Sequence, residues 1–285
     1  MISDITLGQF FPGYSPLHRL DPRTKIILAI FFIAAVFVAA NPVSFLLVVF
    51  ITVFMMLISR ISMKVILRGI RPIVIILIIT SLINVFLTPG EHLLVSWYFI
   101  TIYREGIIRA VFMTLRVIVL IIGTSMLLTY TTSPISLTDG IESLLSPLKK
   151  IKVPVHSFAM MMSIALRFIP TLIEETDKIM SAQKSRGADF SSGGLIKRAK
   201  ALIPILIPLF VSSFKRADEL ATAMECRCYR GDKNRTKLVK LSYKFRDFVW
   251  MLLFAALLAA TICGRIIPYN FDVGHLAYVI SFYKL

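Results

Sequence analysis

Apolar residues along this chain gather into long, almost uncharged blocks rather than alternating with polar ones. Five blocks stand out: Ile26 to Ala40, Val43 to Ile58, Pro72 to Leu87, Val111 to Tyr130, and Phe248 to Ile262. Each approaches the roughly 20 residues that a helix needs to cross a bilayer core, and tilt or interfacial flanks extend the shorter ones. Asn41-Pro42 separates the first two blocks and predicts a tight turn between two helices. Thr88-Pro89-Gly90 ends the third, and Arg116 alone interrupts the fourth. The fifth extends past Gly264 and Arg265 to Ile267.

Between the fourth and fifth blocks the periodicity changes. Ser136 to Leu148 reads as a short amphipathic helix. Val155 to Arg186 carries Phe158, Met162, Ala165, Ile169, Leu172, Ile173 and Ile179 at close to helical spacing. Gly187 supplies a left-handed cap to that helix, and Ser191-Ser192-Gly193-Gly194 a flexible joint. Leu195 to Arg227 forms a second long helix, kinked by Pro204 and Pro208. Its stretch Ala201 to Val211 is apolar on every side but short for a span, so it is expected against or shallowly within the membrane; counted as a span it would be the sixth. The predicted fold is an all-α membrane protein of about five transmembrane helices, with an insert of about three helices before the last span. The domains are residues 1–130 with four spans, 131–247, and 248–285.

Charge places the insert. The chain has 32 Lys and Arg against 16 Asp and Glu, a net charge of +16, with 57% hydrophobic residues and a mean hydropathy of +0.80. Residues 131–247 hold 20 of the cations and 11 of the acids. Arg60, Lys64, Arg68 and Arg71 follow the second block with no acid among them. The positive-inside rule then puts the N-terminus and the insert in the cytoplasm and the C-terminus outside. Nucleic acid is not the expected partner, because no recognition motif accompanies the charge. Anionic lipid headgroups suit it better. Met1 to Pro22 lacks a basic region leading into a short apolar core, so insertion is expected to use the first spanning helix.

Catalytic patterns are absent. There is no Gly-x-x-x-x-Gly-Lys-[Ser/Thr] loop, and His18, His92, His156 and His275 are scattered. Cys226, Cys228 and Cys263 lack a second pair to complete a tetrahedral metal site and read as reduced thiols. No cofactor or metal is expected. The acids Glu174, Glu175, Asp177 and Asp218 have basic neighbours and read as ion-paired helix surface.

The insert does contain a repeat. Asp177, Ala182 and Arg186 recur 41 positions later as Asp218, Ala223 and Arg227. Either arginine could simply complement the carbonyl end of its helix, a contribution of about 0.3–1 kcal/mol. A repeat that also matches an aspartate nine residues upstream points instead to two similar docking points, where a guanidinium fork can pair both oxygens of a recessed carboxylate. Met160, Met161, Met162 and Met180 are either core packing or an adaptable apolar surface. Arg116 is expected near an interface or snorkelling towards one, and Arg265 likewise.

Several motifs together resemble the transmembrane coupling (T) subunit of bacterial energy-coupling factor (ECF) vitamin transporters. They are Leu7-Gly8-Gln9-Phe10, Ser15 to Lys25 (Ser-Pro-Leu-His-Arg-Leu-Asp-Pro-Arg-Thr-Lys), Leu128 to Pro134, Ala165 to Leu172, Gln183 to Asp189, Arg216 to Leu220 and Ala223 to Tyr229. The family usually writes Ala-Arg-Gly at both helix ends; here the triplets are Ser185-Arg186-Gly187 and Cys226-Arg227-Cys228. The resemblance implies a non-catalytic subunit of the bacterial cell membrane, with 131–247 as a coupling domain. Two homologous ABC-type ATPases would dock at those two triplets, supported by Arg167, Pro170, Asp177, Gln183, Asp218 and Glu225. An interchangeable substrate-binding (S) subunit would rest on Met160, Met161, Met162, Leu206 and Phe210. The competing reading, from the spans alone, is a stand-alone transporter or channel.

Overall fold

The computed structural model describes residues 11, 13–90, 92–97, 100–188, 190, 194–231 and 241–266. Leu7 to Phe10, Asp189, most of the Ser191-to-Gly194 joint and the tail after Ile266 lie outside the described residues. The chain divides into two compact units, one within Phe10–Ser133 and Leu241–Leu285, the other centred on Pro134–Lys240.

The first unit begins with α1 (Pro22–Val38). Asp21 caps it, its side chain accepting from the Arg23 N–H at 2.9 Å, and Pro22 occupies the first turn where no N–H is needed. α2 (Pro42–Ser59) follows Asn41, and α3 (Met63–Ile70) leads through a 3₁₀ turn at Arg71–Ile73 into α4 (Val74–Leu87). α5 (Arg104–Thr124) continues as a π-helical turn over Ser125–Thr129. The last described helix, numbered α9 (Phe245–Ile266), returns to pack on α1. α1 is central: Leu28, Phe32, Ala35 and Val36 are fully buried with Phe254, Val48 and Leu127. Gly123 of α5 admits the Phe32 ring so closely that a Cβ there would overlap it.

Several hydroxyls inside this apolar unit are satisfied locally. The hydroxyls of Thr52, Thr124 and Thr131 donate to the carbonyl four residues back. Arg116 donates to the Ala39 carbonyl at 2.8 Å, the orphan end of α1. This cation therefore serves a helix terminus.

One element departs from the helical expectation. Leu93–Trp97 (β1) and Ile100–Tyr103 (β2) pair antiparallel, with Trp97 opposite Ile100 and Leu93 opposite Tyr103. Local β-branched and aromatic residues favour this pairing.

Among the described residues, five helices are long and apolar enough to cross a membrane: Pro42–Ser59, Met63–Leu87, Arg104–Thr129, Val155–Ser185 and Phe245–Ile266. The set differs by one from the expected five. α1 has 17 residues, about 26 Å of rise, because proline turns bracket it at both ends. The helix from Val155 qualifies because Pro170 does not interrupt it.

The second unit contains α6 (Pro134–Leu144), a 3₁₀ segment Ser146–Ile151, α7 (Val155–Ser185) and α8 (Leu195–Cys226). α7 packs on both α6 and α8.

Candidate functional site

α7 and α8 end in the same way. Arg186 takes the last position of α7 at φ −85°, ψ 5°, and Arg227 the last of α8 at φ −88°, ψ 16°. Gly187 and Cys228 then turn left-handed at φ 88° and 57°. The Gly187 N–H donates to Lys184 at 2.9 Å and the Ala188 N–H to Gln183 at 3.0 Å. The Cys228 N–H donates to Glu225 at 2.8 Å and the Tyr229 N–H to Met224 at 3.0 Å. These are two Schellman caps, with the repeated arginine in the same place in each. Cys228 adopts without glycine's freedom the conformation that Gly187 adopts with it.

Both arginines are exposed, as are Ser185, Cys226 and Cys228. Among the described residues neither guanidinium has an ion-pair partner. The repeated aspartates do not pair with them: nine residues of helix separate each Asp from its Arg by about 13 Å and half a turn. Arg167, Pro170, Asp218 and Glu225 are exposed and Asp177 half-buried.

The two helices meet upstream of these ends. Glu175 accepts from Arg216 at 2.7 Å and from the Ser212 hydroxyl. Glu175 and Arg216 are also 41 positions apart, so equivalent places of the repeat meet at the crossing. Pro208 has no N–H to offer the Pro204 carbonyl, and the Gln183 side chain donates to that carbonyl at 3.5 Å. Gln183 beside Pro204, with Glu175 beside Ser212 and Arg216, fixes α7 and α8 as antiparallel. Arg186 lies 11 positions beyond Glu175, and Arg227 lies 11 beyond Arg216. Each arginine thus stands about 16 Å along its helix from the shared pair, at opposite ends of the crossing.

The unit exposes a broad apolar surface. Met161, Met162, Leu206 and Phe210 are all exposed, whereas Met160 is half-buried. Phe210 packs on Phe214 with ring centroids 4.7 Å apart. α6 and α7 are joined by His156 and the buried Glu142, 3.0 Å apart, beside an apolar groove of about 250 Å³ lined by Leu137, Ile141, Phe158 and Met162.

A buried polar network in the first unit has no counterpart in the sequence reading. Lys25 is only 2% exposed and donates to the Thr131 carbonyl at 2.7 Å. Asp247, also 2% exposed, accepts from the Asp21 N–H and the Lys244 N–H, both at 2.8 Å. Arg23 lies over the Tyr243 ring at 5.3 Å. The Ser15-to-Lys25 motif is thereby tied to the start of α9 and the end of α5. The usable signal was Asp21-Pro22, a cap whose neighbours were bound to be fixed in place.

Comparison with known proteins shows the family. The family model described as cobalt transport protein, CbiQ, matches residues 13–238. The energy-coupling factor transporter transmembrane protein EcfT of Clostridium kluyveri is 53% identical over 267 residues, covering 93% of this chain and 98% of its own. The EcfT proteins of Acidaminococcus fermentans and Bacillus subtilis are 55% and 46% identical, each over 90% of this chain and over 95% and 98% of their own lengths. The chain belongs to the CbiQ/EcfT family. It is a transmembrane component of an energy-coupling factor transporter, as the resemblance implied. The matched region takes in both arginine-capped helices and the Lys25 end of the buried network.

Proposed function

We propose that this chain is the non-catalytic coupling subunit of an ATP-driven vitamin or micronutrient importer in the bacterial plasma membrane. Two homologous ABC-type ATPases dock from the cytoplasm, one at Ser185-Arg186-Gly187 and one at Cys226-Arg227-Cys228. Closure of the ATPases on ATP drives the ends of α7 and α8, and the Glu175–Arg216 crossing transmits that displacement. A membrane-embedded S subunit, exchangeable and responsible for cargo choice, rests on the apolar surface of Met160, Met161, Met162, Leu206 and Phe210. Residues 131–247 form the cytoplasmic coupling domain, and the N-terminus lies inside and the C-terminus outside.

One observation carries this reading: two exposed arginines without ion-pair partners, in superposable caps at equal distances from a shared crossing. Two such ends suit two similar partners. Removing one member of a buried charged pair typically costs about 2–5 kcal/mol, so each site alone is a strong anchor. The R186E/R227E double variant should lose both ATPases on co-purification and abolish ATP-driven uptake in proteoliposomes. An intact, transport-competent complex in that variant would overturn the assignment. Flux through the isolated chain without any ATPase would instead show a self-sufficient carrier.

A further inference from the structure

Residues 60–71 form a basic segment that the docking arginines do not use. Arg60 follows α2 in the left-handed conformation, and α3 opens three residues later. Arg60, Lys64, Arg68 and Arg71 are all exposed, and among the described residues none has an ion-pair partner. No Asp or Glu occurs anywhere between Asp21 and Glu91. At 100° per residue, Lys64, Arg68 and Arg71 fall within roughly a 60° arc of the helix. Ile66 lies about opposite that arc, 2% exposed, and packs on Met126 and Tyr130. Gly69 meets the Tyr130 hydroxyl so closely that a Cβ would overlap it. One face of α3 is therefore clamped, and the cationic face is held away from the packing.

Depth supplies the partner. α3 opens the 25-residue run Met63–Leu87, which rises about 37 Å against a hydrocarbon core of about 30 Å. The surplus at its charged end belongs in the headgroup layer, where lipid phosphate is the abundant anion. We propose that α3 is a binding surface for anionic phospholipid headgroups. Lys64, Arg68 and Arg71 contact the phosphates, guanidinium groups pairing two oxygens at once, and Arg60 closes the rim. This surface stands independently of the ATPase docking and survives its failure.

The test uses the full chain reconstituted in nanodiscs with equal phosphatidylglycerol and phosphatidylcholine, and native mass spectrometry to count retained lipids. The wild type should retain phosphatidylglycerol preferentially, and that preference should fall as salt rises. Near an anionic surface each cation is worth about fivefold in binding. The K64Q/R68Q/R71Q variant should therefore lose at least fivefold in the phosphatidylglycerol-to-phosphatidylcholine ratio, whereas K64R/R68K/R71K keeps it. Millimolar inorganic phosphate should not displace the lipid. The proposal fails if the wild type shows no preference or one insensitive to salt. It also fails if the glutamine variant keeps the wild-type ratio, if R186Q/R227Q lowers the ratio equally, or if free phosphate competes. Should the triple variant misfold, R68Q alone, read in the same way, decides.

Discussion

Asp247 holds together segments that are 226 residues apart, its two oxygens accepting from the N–H groups of Asp21 and Lys244. Replacing it by alanine leaves two buried donors unmet, each costing about 1–3 kcal/mol. D247A should therefore lower the unfolding midpoint of the detergent-solubilised protein by an amount equivalent to about 2–6 kcal/mol. D247N should recover less than half of that, since its amide group faces one N–H with another. An unchanged midpoint in D247A would remove this carboxylate from its structural role. The same motif holds a titrating group. His18 donates from Nε2 to the Phe11 carbonyl at 2.9 Å and accepts at Nδ1 from the Ser15 hydroxyl at 2.6 Å, the pattern of a neutral ring. Burial pushes its pKa below the ordinary 6.5, the Phe11 carbonyl opposes that, and the Lys25 cation adds to it. The folded chain then binds fewer protons here than the unfolded chain, so stability is full above that value and falls as pH drops through it. Melting followed from pH 7.5 to 5.5 should show this decline in the wild type and a shallower one in H18Q; equal slopes would exonerate His18. Beyond the Asp21-Pro22 cap signal, this network was not legible in the sequence, because Asp247 and Lys25 look like ordinary flanking charges until the fold brings their partners to them.

Helix ends and helix runs were the most legible elements, since caps and apolar blocks are written locally. Val155 to Arg186 and Leu195 to Arg227 were expected within a residue of the observed α7 and α8, because Gly187 marks one end and the repeat marks the other. The β1–β2 hairpin was missed: its signal is only a short run of β-branched and aromatic residues between Leu93 and Tyr103. The antiparallel crossing was equally hidden, as it depends on Pro208 freeing a carbonyl for Gln183 rather than on any periodicity. The two caps differ in one respect that can be measured. Left-handed geometry costs a non-glycine residue about 1–2 kcal/mol, and Cys228 bears that strain where Gly187 does not. C228G should therefore strengthen the end of α8 by about 1 kcal/mol, and G187A should weaken the end of α7 by a similar amount. Amide hydrogen exchange over the last two turns of each helix reads both, and changes of the same sign would contradict the paired-cap geometry.

Across the chain, charge and hydrophobicity divide the labour. The apolar blocks supply candidate spans, the Asp21–Lys25–Asp247 network pins the first unit, and the second unit ends two of its helices in an exposed arginine. α7 is long and apolar enough to count among the candidate spans, and it ends in the charged, exposed cap proposed above as a docking point. Such a helix transmits force only if its partner helix cannot slip past it, and the Glu175–Arg216 pair with the Ser212 hydroxyl is the polar lock at that crossing. E175A and R216A should each assemble with the ATPases yet lower uptake per ATP hydrolysed, because the docking arginines remain while the crossing loosens. The exchanged pair E175R/R216E should recover a substantial part of the coupling, although Ser212 then faces a cation. Uptake and hydrolysis measured together in proteoliposomes separate this outcome from a simple loss of assembly. If both single variants keep wild-type stoichiometry, the crossing carries no force, and each helix end must act on the membrane partner by itself.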